Sequence, residues 1–145
     1  MLSQLQAQAV QLLDGARQEV GAVDGELVPR VVRPYGGELL KRAQLAAIVP
    51  AVFVELSHGT LGLLGDAGTL RGSHVLTLVV VARNLAGWEA AAHDGARLTD
   101  WTIRVLRDAH LRIGRAQIKG AAYTRLLSDV DLWAARLDLA LQETA

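Results

Sequence analysis

The chain has 145 residues, 51% hydrophobic and 21% charged, a balance that suits a folded domain with one core and not a disordered chain. Fifteen Lys and Arg stand against fifteen Asp and Glu, so the formal net charge is zero. That argues against nucleic acid as the main partner, because neutralising many phosphates takes a basic excess, and the absence of cysteine excludes disulfides, thiolate metal sites and a cysteine nucleophile.

The longest apolar run, "VLTLVVVA" at 75–82, falls well short of the roughly 18 residues of a membrane span. The N-terminal stretch lacks the basic region and apolar block of a signal peptide. The expectation is a soluble, cytoplasmic protein, one domain over 1–145, with no membrane partner. Near-neutral charge offers little colloidal repulsion, so self-association is easy.

In chain order, residues 2–20 predict an amphipathic helix: Leu2, Leu5, Ala9, Leu12, Leu13, Ala16 and Val20 recur at three- and four-residue steps. A turn region follows around Gly21, Asp24 and Gly25. "LVPRVVRPYGG" at 27–37 holds Pro29 and Pro34, so any strand there is short or at an edge. "ELLKRAQLAAIV" at 38–49 predicts a short helix that Pro50 stops. "AVFVELS" at 51–57 is strand-like, with Val52, Val54 and Leu56 on one face and Phe53, Glu55 and Ser57 on the other.

Residues 59–72, "GTLGLLGDAGTLRG", place glycine at 59, 62, 65, 68 and 72. No Lys follows these glycines as in a Walker loop, and there is no Gly-x-Gly step as in a dinucleotide fingerprint. A strand, not a helix, follows, so the amide-rich helix start that holds a phosphate is missing. The stretch is therefore expected to be a long, flexible strand-to-strand connection. Its Leu61, Leu63, Leu64 and Leu70 are candidates to tuck onto the core or to meet a partner chain.

"SHVLTLVVVARN" at 73–84 predicts a central strand buried on both faces. Residues 87–110 predict a helix with Leu98, Trp101, Val105 and Ala109 on one stripe and Leu106 beside it, Gly95 leaving its first turn irregular. Between 111 and 129 the expectation is a turn at Gly114 with a short strand or extended segment nearby. In "DLWAARLDLALQE" at 131–143, Trp133, Ala135, Leu137, Leu139 and Leu141 alternate with polar positions, which favours a strand with one wet face. A helix is the competing reading, because Ala and Leu are strong helix formers.

No group of residues marks a catalytic, cofactor or metal site. His58, His74, His93 and His110 show no metal-ligand spacing, Ser57-His58-Gly59 lacks the nucleophile-elbow pattern, and Asp129 with Asp131 makes a poor calcium site. His93-Asp94 reads as a polar cluster at a helix start. Trp101 and Trp133 fall on apolar faces and are expected in the core. Trp88 follows Gly87 after the central strand and is a candidate either to cap the core or to anchor an interface, as Trp is enriched at interface centres.

Strands joined without a helix imply antiparallel pairing. The element order predicts an α+β fold: a mainly antiparallel sheet with two long helices packed on one face. Val79, Val81, Trp101 and Leu137 are expected to be buried together beneath the second helix.

The segments "VPAVFVEL" and "HVLTLVVVARNLAG", the Trp101 helix and the final "DLWAARLDLAL" strand resemble the Mu-like prophage minor tail proteins, which are similar in layout to phage tail-terminator and tail-completion proteins. The resemblance covers most of the chain and lies in hydrophobic patterning and "VARN", not in a catalytic signature. It implies a structural, non-enzymatic role without a cofactor: a ring-like homo-oligomer, with a hexamer as one candidate size, that ends the tail tube and faces head-connector proteins. The implied location is the host cytoplasm during assembly and then the virion tail. On this reading Leu61, Leu63, Leu64, Leu70 and Trp88, or the edge segment at 30–35, meet the neighbouring subunit. The competing expectation is a small-molecule-binding or regulatory α+β domain with the glycine-rich stretch as its lid.

Overall fold

The computed structural model describes residues 2–20, 27–36, 48–55, 58–59, 74–109, 112–113 and 116–143. The fold is α+β. Helix α1 spans Leu2–Val20 and helix α2 spans Trp88–Asp108. The strands are β1 (Val31–Pro34), β2 (Ala51–Val54), β3 (His58–Gly59), β4 (His74–Arg83), β5 (Arg112–Ile113), β6 (Ala116–Asp129) and β7 (Leu132–Glu143). They form one sheet in the order β1-β2-β4-β7-β6-β5, with β3 also paired to β4. Every pairing is antiparallel except β1 with β2.

Both helices lie on one face of the sheet. Leu5, Ala9 and Leu13 of α1, and Ala91, Leu98, Trp101 and Leu106 of α2, pack on Val32, Val52, Val54, Leu76, Leu78, Val80, Ala135, Leu137, Leu139 and Leu141. Removing a large apolar side chain of this kind from water stabilises the fold by about 1.5–3 kcal/mol each. Gln6 ties α1 to the sheet by donating to the Val54 carbonyl at 2.8 Å. In α2 the buried Thr99 and Thr102 hydroxyls donate to the carbonyls of Gly95 and Leu98, both at 2.8 Å, so neither is left unsatisfied in the core.

The opposite face of the sheet carries a second buried cluster of Val49, Ala51, Phe53, Val79, Val81, Leu132 and Ala134. This corrects the expected grouping of Val79 and Val81 with Trp101 and Leu137. All four are buried, but the valines point away from the helices, and Leu78 and Val80 meet them instead. Strand β4 is apolar on both sides, so its hydrophobicity does not mark which side faces a helix. Thr77 does mark it. It shares the phase of Val79 and Val81, and its buried hydroxyl donates to Asp138 of β7 at 2.8 Å.

Helix α2 differs from expectation at Gly95. The helix runs unbroken through it, because Gly95 is buried against the Trp133 ring, where a side chain would not fit. The buried line also runs Ala91, Gly95, Leu98, Thr102, Leu106, which leaves Val105 half-buried and Ala109 exposed. The short strand expected near Gly114 is present as β5, but the 14-residue β6 that follows it was not expected, and the turn expected at Gly114 lies outside the described residues. The C-terminal segment is strand β7, with Trp133, Ala135, Leu137, Leu139 and Leu141 all facing the helices.

Strand β1, preceded by Pro29 and ending at Pro34, lies at the sheet edge, where a missing amide donor is tolerated. Its Arg33 guanidinium stands 5.6 Å from the Phe53 ring centre, and Tyr35 meets the same ring edge-on at 6.1 Å. Of the helix expected at 38–49, only Ile48 and Val49 lie within the described residues.

Candidate functional site

The turn from β4 into α2 is built by Asn84. Its side-chain oxygen accepts from the Ala86 amide at 2.9 Å, its carbonyl accepts from the Gly87 amide at 3.1 Å, and its side-chain amide donates to Asp94 at 2.9 Å. Gly87 completes the turn at φ 131°, a conformation that L side chains rarely adopt. The turn is also bound to the sheet's last hairpin. The Asn84 amide donates to the Asp131 carbonyl at 2.9 Å, and Arg83 Nε donates to the Asp131 carboxylate at 2.8 Å.

These bonds hold two turns side by side at one end of the sheet, and both display apolar side chains. Leu85 is 81% exposed and Trp88 is 55% exposed on the first; Val130, at the β6–β7 turn, is 75% exposed, and Leu126 just before it is 47% exposed. Large exposed apolar side chains gathered at one place mark an interaction surface more than scattered ones do. Here the hydrogen bonds of Asn84 and Asp131 fix the backbone beneath them, so little ordering is left to oppose binding.

Of the residues singled out from sequence, Trp88 is on this surface. Leu61, Leu63, Leu64 and Leu70 lie outside the described residues. The segment 30–35 is at the far edge of the sheet, separated from this hairpin by β2 and β4. Sequence reading missed Leu85, Leu126 and Val130, although two of them carried a signal. Leu85 is a large apolar residue inside the turn "NLAG", and Val130 is a β-branched residue between two aspartates in a hairpin turn. Neither position has a local conformational reason to be apolar.

Among the described residues of this region, titratable groups do not converge on a catalytic arrangement. Asp94 is engaged by Asn84, and His93 beside it points to solvent. Among the described residues, no group of three His, Cys, Asp or Glu side chains could hold a metal ion. No helix among them is long and apolar enough to cross a membrane. An open groove of about 490 Å³ runs between α1 and α2, with Leu12, Ala16, Trp101 and Val105 supplying apolar lining and Glu19, Arg104 and Asp108 supplying charge.

In comparisons with known proteins, no family model and no curated protein sequence matches the chain.

Proposed function

We propose that the chain is a structural subunit of a phage or prophage-derived tail, a terminator or completion protein that self-assembles into a ring at the end of the tail tube. The assembly role is carried by one observation: Leu85 and Trp88, at the turn into α2, and Val130, at the β6–β7 turn, are exposed at one end of the sheet, where hydrogen bonds hold the two turns together. A ring needs a heterologous contact that closes by rotation, and a preformed apolar patch at one end of a sheet supplies one half of it. The tail assignment rests on the patterning of β2, β4, α2 and β7 described above. On this reading the ring faces the tail tube on one side and the head connector on the other. It assembles in the host cytoplasm and ends in the virion tail, without catalysis.

The test is mass in solution as protein concentration rises, with and without tail tubes. Concentration-dependent association that tail tubes strengthen supports the proposal. A monomer under both conditions removes it.

The groove between α1 and α2 supports a second reading, a small-molecule-binding domain. Its volume is within the range of ligand pockets, roughly 300–1,000 Å³. A metabolite panel that raises the melting temperature, with the gain lost on changing Arg104 to Ala, would favour this reading.

A further inference from the structure

Strand β6 is exposed along most of its length. Every residue from Gln117 to Leu126 is exposed except Ile118, which is half-buried. One edge pairs with β7 throughout, whereas β5 pairs with the other only at Ala116 and Gln117. Among the described residues, no strand covers that edge from Ile118 onward. An edge of this kind presents a row of main-chain donors and acceptors that a further strand can use.

Two register shifts bound the usable part. They fall between Ile118 and Gly120 and between Arg125 and Leu127, so Gly120–Arg125 is the regular stretch between two irregularities. Bulges twist a strand away from edge pairing, which confines an added strand to this window. The residues offered there are small, Gly120, Ala121 and Ala122, followed by Tyr123, which is 65% exposed. Tyr123 and Ala121 share the helix side of the sheet with Leu137 and Leu139 of β7. An added strand with a β-branched residue beside Tyr123 would gain a cross-strand contact.

Charge selects the occupant. From Ala116 to Ser128 the charged residues are Lys119 and Arg125, both basic, both exposed and one at each end of the window. A second copy offering its own β6 brings the same two cations. A second copy offering the β1 edge brings Arg30 and Arg33. Like charges across a strand pair are destabilising, whereas opposite charges contribute. We infer that the Gly120–Arg125 edge of β6 receives an extended acidic segment of another protein by strand addition, with carboxylates near Lys119 and Arg125 and an apolar residue beside Tyr123. This inference holds whether or not the chain forms a ring.

The probe is a short fluorescent peptide of alternating valine and threonine with glutamates at both ends, set against the same peptide with lysines in their place. The glutamate peptide is expected to bind saturably and to slow amide exchange across Gly120–Arg125. Lys119→Glu/Arg125→Glu should keep the melting temperature, weaken the glutamate peptide about tenfold or more, and prefer the lysine peptide. Three results would overturn the inference. These are equal binding of both peptides by the unaltered protein, no slowing of exchange at Gly120–Arg125, and slowing that follows protein concentration without peptide, which would assign the edge to a second copy.

Discussion

Gly95 of α2 lies directly against the indole of Trp133 in β7. A Cβ placed on Gly95 would stand 2.6 Å from Trp133 Cδ2 and closer still to Cε3 and Cζ3. Glycine inside a helix costs about 1 kcal/mol relative to alanine, so the position sacrifices helix propensity for close approach to the sheet. The large ring of Trp133, 6% exposed, is what that approach accommodates.

Gly95→Ala should therefore destabilise the fold by about 1–3 kcal/mol, despite its better helix propensity. Chemical denaturation of the variant checks this. A double variant with Trp133→Leu should show strong coupling between the two positions, because the smaller side chain vacates the contested space. An alanine that stabilises the protein would show that the helix stands further from the sheet.

Trp101 is 3% exposed within the helix-facing core. Trp101→Ala should cost about 3–5 kcal/mol, the sum of lost burial and residual cavity. An unchanged unfolding midpoint would contradict its place in that core.

Most of the fold was legible because its periodicities are clean. The step of three and four in α1 follows one buried face, the alternation in β7 marks its helix-facing residues although Leu132 and Ala134 on its other face are buried too, and Pro29 and Pro34 place β1 at an edge. What failed were the cases where one face does not dominate. In β4 both sides are apolar, so Val79 and Val81 were assigned to the wrong layer. In β6 both sides are wet and two register shifts change the phase, so no alternation survives to announce a 14-residue strand. Gly95 reads locally as a helix disturbance, because its reason is a tryptophan 38 positions away in sequence. Of the surface, Trp88 was legible from residue type alone; Leu85 and Val130 acquire meaning only when Asp131 joins their two turns.

The Asn84 turn should be sensitive in two ways. Asn84→Ala removes the bonds to Ala86 and Asp94 and should cost about 1–2 kcal/mol. Gly87→Ala meets open space, so any loss reports backbone strain at φ 131° alone, about 1–3 kcal/mol. Thermal melts of both variants measure this, and a Gly87→Ala protein as stable as the parent would rule out the strained turn.

Thr77 is fully buried, and its hydroxyl reaches Asp138, which also accepts from Arg136 at 3.0 Å. Thr77→Val keeps the shape and removes the donor, so a loss of about 1 kcal/mol is expected. In a cycle with Asp138→Asn the two changes should fail to add. Additive effects would show that the pair does not interact.

The central claim is that the end of the sheet bearing Leu85 and Trp88 is a subunit contact. Sedimentation equilibrium over a concentration series, on the unaltered protein and on Leu85→Asp/Trp88→Asp, tests it most directly. The account predicts that the unaltered protein associates as concentration rises, while the double variant stays monomeric with its melting temperature preserved. A double variant that associates as readily as its parent, or a parent that stays monomeric throughout and with tail tubes added, would contradict it.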